Sequence, residues 1–560
     1  MKKLAVFIII LSSFIYAQTS WQLWKTIPVP VLEKPGMQGF GNFVPLDLDK
    51  DGMPEIVAVN NNTIDEGNLS PRMYVFKYNS TTQTWDSVWG YQSDIPFQNT
   101  WPPLEIGDMD GDGKLEVIWC PINFLDATTN PNPSRVIVFE VNSEGLLGVS
   151  DGFGGYLPNT QFTIVQDAMQ NVRPFHILLK DIDGDNKQEL IFADRAPSGA
   201  GFHFGFLKVS DVPDNGSGSE TWTVVASGKT VQHSFTTAAK YDIFEFGDNY
   251  FFIDANAGVC HVKYNRTTQT FSTKPRYLMT GLFAGSWKSG CKVDIDNDGT
   301  HEYVFGEWMN AAANKSAKVV LVKYNQTTDS LETFVIGNFF DSDSLTGLNG
   351  GAVGDINGDG KMDFVFGTRG LRSYTYDNGL YGISYLGGDI TNPASYSKYK
   401  IAGNYFTALY PDSVKYKNHG QWDVIRIVDV TKDGTPEILA TSSYPRGVVD
   451  DPAPILIYKA TGTSVEDKYE LPKEFYLAQN YPNPFNPTTN IRFYLPNNST
   501  VDLKVYNSLG QEVAVILSKA ALTSGEHNYT FNAVNLPSGI YFVRLSDGKN
   551  QQIRKITLVK

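Results

Sequence analysis

Cysteine is nearly missing from this chain of 560 residues, with three copies at Cys120, Cys260 and Cys291. So sparse and odd a set excludes a disulfide scaffold, leaving a Cys260–Cys291 pair or buried thiols as the alternatives. Histidine is scarce too, with seven scattered copies, and the HExxH and CxxC patterns do not occur. The local signatures of zinc proteases and dithiol redox sites are therefore not available. The GDGK run at Gly111 lacks the spacing of a phosphate loop, and its carboxylates would repel phosphate. The formal charge is −14, which argues against a nucleic-acid partner.

Only the N-terminus holds a long apolar run. MKKLAVFIIILSSFIYAQ combines two lysines, a run from Leu4 to Ile15 and small-residue spacing ending at Ala17. This pattern predicts a signal peptide over residues 1–17, and a mature chain from Gln18 without a transmembrane segment.

What the chain does have is one acidic loop written six times. The copies are DLDKDGMPE from Asp47, DMDGDGKLE from Asp108, DIDGDNKQE from Asp181, DIDNDGTHE from Asp294, DINGDGKMD from Asp355 and DVTKDGTPE from Asp429. Acids at positions 1, 3, 5 and 9 with a turn residue at position 6 curl a loop around a hard cation. Calcium suits such a cage because it takes six to eight oxygens in forgiving geometry. Six bound Ca²⁺ ions would make most of the negative charge internal ligand charge. An EF-hand shares the first five positions but needs a glutamate at position 12 and flanking helices. Here strand-like runs follow at once (IVAV, VIWC, LIFA, YVFG, FVFG, ILAT).

Successive loops start 61, 73, 113, 61 and 74 residues apart, so the longest gap has room for a unit without a loop. YDIFEFGDNYFFI from Tyr241 has strand character there without the ligands. A second apolar run follows each unit, among them MYVFKYNSTTQTW from Met73, VCHVKYNRTTQTF from Val259 and VVLVKYNQTTDSL from Val319. The shared KYN-x-TT reads as a hairpin tip between strands. Four-stranded units repeated in this way pack most simply as a propeller. The expected fold is all-β: a seven-bladed β-propeller over residues 18–462, a linker over 463–474 and a small β-sandwich over 475–560. SWQLWKTIP from Ser20 resembles the fourth-strand segment TWDSVWGYQSDIP, so it is expected to complete the last blade.

Loops of the form D-x-[DN]-x-D-G-x-x-[DE] between such strands resemble the FG-GAP and VCBS repeats, the type found in integrin α-subunit propellers. The resemblance covers roughly residues 20 to 470. It implies side-chain ligands Asp47, Asp49, Asp51 and Glu55; Asp108, Asp110, Asp112 and Glu116; Asp181, Asp183, Asp185 and Glu189; and Asp294, Asp296, Asp298 and Glu302. It also implies a carbonyl ligand at position 7 of each loop: Met53, Lys114, Lys187, Thr300, Lys361 and Thr435. Two copies depart from the pattern. Asp355, Asn357, Asp359 and Asp363 have one charge fewer, and in Asp429, Thr431, Asp433 and Glu437 the threonine is a poor ligand.

After Tyr469 the composition changes. Short strands alternate with turn signals at NNST, NSLGQE, LTSGEH, LPSG and SDGKN, enough for a small sandwich. YPNPFNPTT from Tyr481, VYNSLGQEV from Val505, LPSGIYFVRL from Leu536 and KITLVK from Lys555 closely resemble the type A C-terminal sorting domain of the type IX secretion system. The resemblance implies that residues 475–560 engage that machinery, that the chain is secreted or held on the surface, and that the source is a Bacteroidota-type bacterium.

Seven residues before the loop aspartate stand Phe40, Trp101, Trp287 and Trp422 in four of the six units. They are expected either to pack between blades or to ring the channel mouth for stacking on sugars. Arg72, Arg195, Trp308 and Arg446, in the long connections at that end, are further candidate contacts. The leading expectation is a calcium-stabilised, non-enzymatic propeller for adhesion or for binding an extracellular glycan or protein. The alternative is a polysaccharide-active lyase or glycosidase on the same scaffold, with Asp65, Asp126, Asp194 and Asp450 as available acids.

Overall fold

In the computed structural model the described residues are 20–30, 37–62, 70–94, 101–121, 134–164, 172–194, 204–228 except 217, 240–308 except 255, 316–368 except 344 and 346, 379–403, 421–443, 454–461, 475–477, 480, 483 and 485–559. The expected signal peptide and linker lie outside them, as do Asp65, Asp126, Arg195, Arg446 and Asp450. Residues 18–463 and 464–560 pack as separate units. Among the described residues no helix is long and apolar enough to cross a membrane.

Among the described residues the larger unit holds seven antiparallel sheets of four strands in series, the fourth carrying an extra short strand, Tyr277–Leu278. Their innermost strands are, in chain order, Met37–Leu46, Leu104–Gly107, Pro174–Lys180, Lys240–Phe246, Cys291–Val293, Leu348–Gly354 and Gln421–Val428. In five sheets the chain runs outward through consecutive strands, and in the second a separate hairpin, Val149–Ser150 with Tyr156–Leu157, precedes the outer strand Thr160–Phe162. The seventh takes its outermost strand, Trp21–Ile27, from the N-terminal end, paired with Ile455–Ala460 from Trp21↔Ala460 to Ile27↔Ile455.

Each second strand is apolar on both faces, and its period-2 alternation sends odd and even residues to different neighbours. Val57 and Val59 pack with Val117 and Trp119 of the second sheet, while Ile56 and Ala58 pack with Val424 and Leu439 of the seventh. Leu190 and Phe192 face the second sheet, Ile191 and Ala193 the fourth. Clusters of the same kind join the fourth sheet to the fifth, the fifth to the sixth and the sixth to the seventh. Seven interfaces between seven sheets close a ring, which is the packing of a β-propeller. Between sheets three and five, where no acidic loop is written, Lys240–Phe246 and Asn249–Asp254 meet across a tight turn at Gly247, in the left-handed region at φ 64.

The smaller unit is a sandwich. One sheet contains Tyr476–Leu477, Thr488–Leu495 and Gly525–Asn532; the other contains Glu512–Leu522, Ser499–Asn507, Gly539–Ser546 and Gln551–Leu558. Leu495 and Phe493 from the first sheet share a buried core with Leu503, Val543 and Ile556 from the second. Phe485 bonds the last strand in both directions, its N–H donating to Thr557 O at 2.9 Å and its carbonyl accepting from Val559 N at 2.9 Å. Asn483 Oδ1 accepts from Thr557 N at 2.7 Å. Asn483 and Phe485 therefore clasp the terminal strand to the sandwich.

Candidate functional site

All six acidic loops close in the same way. The position-1 aspartate accepts from the N–H of position 6: Gly52 to Asp47 at 3.0 Å, Gly113 to Asp108 at 3.1 Å, Asn186 to Asp181 at 3.0 Å, Gly299 to Asp294 at 2.9 Å, Gly360 to Asp355 at 2.8 Å and Gly434 to Asp429 at 2.8 Å. Position 6 sits in the left-handed region, which explains its glycine; the third loop uses asparagine at φ 66. The position-9 acid accepts from the N–H of position 2, as Glu55 does from Leu48 at 2.9 Å and Glu116 from Met109 at 2.6 Å. Position 5 accepts from the N–H of position 7, as Asp51 does from Met53 at 2.8 Å.

These bonds use one face of each carboxylate. Buried oxygens of Asp47, Glu116 and Asp183 accept no hydrogen bond, while the buried Oε1 atoms of Glu55, Glu189 and Glu302 meet only a lysine ammonium, at 3.2, 3.2 and 3.5 Å; carboxylate oxygens without a hydrogen-bond donor suit a hard cation. In the second loop, oxygens of Asp108, Asp110, Asp112 and Glu116 all lie within 4.8 Å of one another. Burial, then the charges of Asp110, Asp108 and Glu140, push the Glu116 carboxyl up to about 9 despite its bond from Met109 N. These residues fit a divalent ion, which would supply the missing counter-charge. The carboxylates of three further loops (Asp47, Asp49, Glu55; Asp181, Asp183, Glu189; Asp294, Asp296, Glu302) also converge.

The sequence reading missed a lysine. On the third strand, one register step past the pairs Ile56↔Phe76, Leu190↔Leu207, Tyr303↔Val322 and Ile438↔Tyr458 and so across from the position-9 acid, stand Lys77, Lys208, Lys323 and Lys459 in the first, third, fifth and seventh sheets. Lys77 Nζ lies 2.8 Å from Asp51 and 3.2 Å from Glu55, and also contacts Asp49. Lys208 Nζ lies 2.6 Å from Asp183, 2.7 Å from Asp185 and 3.2 Å from Glu189. Lys459 contacts Asp433, with Glu437 at 3.2 Å and Thr431 Oγ1 at 3.0 Å. Lys323 reaches Glu302 at 3.5 Å. Burial alone would push the Lys77 and Lys208 ammonium groups down, but the surrounding carboxylates outweigh it and hold both above the usual lysine range. At the same register the second sheet has Glu140 and the sixth Ser384. Comparing the third-strand runs MYVFKYN, FGFLKVS, VVLVKYN and ILIYKA would have revealed the lysine; the carboxylate-centred pattern drew attention away from it.

At the opposite end of the innermost strands, a polar cavity of about 170 Å³ is lined by Asn42, Glu105, His176, Lys288, Asp423 and Arg426 among others. Of the aromatic residues expected there, Phe40, Trp287 and Trp422 are buried, so their faces are covered by protein. Trp101 is half-buried and meets Trp287 edge-on at 5.8 Å, while Trp287 stacks on Trp308 at 4.7 Å. Trp101 Nε1 donates to Asp423 Oδ2 at 2.9 Å, and Lys288 Nζ donates to Trp101 O at 2.6 Å. Both Trp101 and Lys288 adopt φ 51, a strained backbone held by these bonds. Burial pushes the Glu105 carboxyl up, against the pull of Arg426, His176 and Lys288. Arg72 lies elsewhere, its Nε donating to Gln92 on the outer strand of the first sheet at 2.9 Å. Asp194 is buried and accepts from Arg173 N at 3.2 Å. Cys120, Cys260 and Cys291 are buried thiols.

Residues 47–119 match the FG-GAP-like repeat family, and residues 479–559 match the secretion system C-terminal sorting domain. The chain carries FG-GAP-like repeats and a type IX sorting tail. That tail marks it for secretion, to the cell surface or beyond. No curated protein matches the chain. Among solved structures, the Pseudomonas aeruginosa periplasmic gluconolactonase PpgL matches with 11% identity and a TM-score of 0.37, over 63% of this chain and 83% of that one. An S. cerevisiae assembly of Dbp5 bound to Nup159, Gle1, IP6 and ADP matches with 9% identity and a TM-score of 0.35, over 79% of this chain and 96% of that one.

Proposed function

We propose that the chain is a secreted or surface-held propeller that uses calcium for stability and binds an extracellular glycan or protein at the cavity end of its ring, after export through the type IX machinery by residues 475–560. The observation that supports ligand binding most is Trp101. It is a partly open indole on a strained backbone, fixed by Asp423 and Lys288 at the rim of a polar cavity. Fixed aromatic residues beside charged groups are suited to stacking on sugar rings while hydrogen-bonding their hydroxyls. A glycan array read alongside a reducing-end release assay tests this. Binding without turnover that weakens about tenfold in Trp101→Ala is the expected result; unchanged binding by that variant refutes the site.

A second reading, a polysaccharide-active enzyme, draws on His176. Its Nδ1 is held 2.6 Å from Asp242 Oδ1, and it shares the cavity with Glu105. An oriented imidazole beside a carboxyl group is equipment for acid–base catalysis. Product release that vanishes in His176→Ala would establish this reading and displace the first.

A further inference from the structure

We propose that three of the six acidic loops are neutralised by lysines of their own sheets, and that divalent-cation binding centres on Asp108–Glu116, with Asp294–Glu302 and Asp355–Asp363 the other loops left open to it. The inference rests on the calcium reading above and restricts it.

The argument begins with register. The third-strand residue beside the position-9 acid has its side chain on the same face of the sheet as that acid. Where it is lysine, the ammonium reaches the oxygens a cation would need. Lys77 touches three carboxylates of the first loop, Lys208 three of the third and Lys459 two of the seventh. Lys323 holds the same register in the fifth sheet but stops 3.5 Å from Glu302, the one acid of that loop it approaches among the described residues. Calcium binds its oxygens at about 2.3–2.6 Å. An ammonium already bonded to those oxygens occupies the same space and repels a second positive charge. The loops of the first, third and seventh sheets therefore do not fit a resident divalent ion while their lysines stay in place.

The second loop is the reverse case. Lysine is replaced at that register by Glu140, which pairs directly across from Glu116. Glu116 is fully buried and Glu140 is 3% exposed, yet Glu116 Oε1 and Glu140 Oε2 have no hydrogen-bond partner. The nearby Lys114 does not fill this gap. Its Nζ takes Glu140 Oε1 at 2.9 Å, Asp112 Oδ2 at 3.0 Å and Asp214, without touching Asp108, Asp110 or Glu116. Asp110 is positioned by Val212 N at 2.8 Å, which ties the cage to the third sheet. Two buried, unpartnered carboxylate oxygens beside three further acids call for a cation from outside the chain. In the sixth sheet Ser384 donates to Asp363 and brings no charge.

Counting bound ions on the chelated, full-length mature protein tests the proposal, by equilibrium dialysis against Ca²⁺ with elemental analysis. One to three ions per chain is the expected count, falling by one in Glu140→Lys, which places an ammonium in the second cage. Four or more ions on the unaltered protein overturns the lysine assignment while leaving the calcium reading intact. No bound ion overturns both. Should Glu140→Lys fail to fold by circular dichroism, the count on the unaltered protein still decides.

Discussion

Asp242 in the fourth sheet meets His176 of the third, with Oδ1 2.6 Å from the imidazole Nδ1, and the carboxylate is wholly buried. Its other oxygen accepts from Ser286 Oγ and from Gly290 N at 3.2 Å, on the approach to the fifth sheet. One side chain thus joins three successive sheets. Burial would push this carboxyl up, but the imidazole and its other donors outweigh that and hold it below the usual range. A lowered folded-state value means stability that is present above about pH 4 and lost as pH falls through the folded value. Asp242→Ala strands these donors and should cost about 3 kcal/mol at neutral pH, measured by urea unfolding.

His261 gives the opposite residue type with the same direction in pH. It is 1% exposed, stacks on Phe251 at 4.4 Å and pairs with Asn249 at 3.0 Å. Burial pushes it down to about 4. The unfolded chain takes up a proton near pH 6.5 while the folded one resists, so stability falls as pH drops from about 6.5 toward 4, by about 3 kcal/mol in total. His261→Gln should flatten that part of the profile; an equally steep loss would show that another group controls it.

The ring closes through a strand from the far end of the chain. Ile27 is fully buried against the seventh and first sheets. Ile27→Asp places an unpaired charge at that seam and should cost about 3 kcal/mol or more. Limited proteolysis should then cut residues 20–30 first, whereas the unaltered protein resists.

In the sandwich, Phe485 is 2% exposed and bonds the terminal strand. Phe485→Ala should cost about 3–4 kcal/mol. Deleting residues 475–560 should leave the propeller folded but retained within the cell envelope, as fractionation would show. Normal surface delivery of the truncated protein would refute the export role.

The repeat was legible because each loop states its backbone chemistry locally: an aspartate that caps, a residue able to take positive φ, and an acid that returns to position 2. The sheet lacking a loop was also readable, since strand periodicity survives at Tyr250 and Phe252 without any ligand. The ownership of the cages was not. Whether Glu55 faces a metal or Lys77 depends on cross-strand register, which joins residues far apart in sequence and is set by hairpin length. Likewise Phe40, Trp287 and Trp422 share a register visible in the sequence, but only the packed ring shows that their faces are covered. His176 with Asp242 has no local signature at all.

Thermal unfolding of the mature protein with and without chelator tests the central claim most directly. At about 1 mM calcium and a Kd near 0.1 mM, each occupied loop adds roughly 1.4 kcal/mol. For a propeller of this size, with about 2 cal/mol/K of unfolding entropy per residue, two occupied loops correspond to a Tm higher by about 3 °C and six to about 9 °C. The account predicts a fall of about 1.5–4.5 °C on chelation, for one to three occupied loops, reversed by calcium; an unchanged Tm would contradict it.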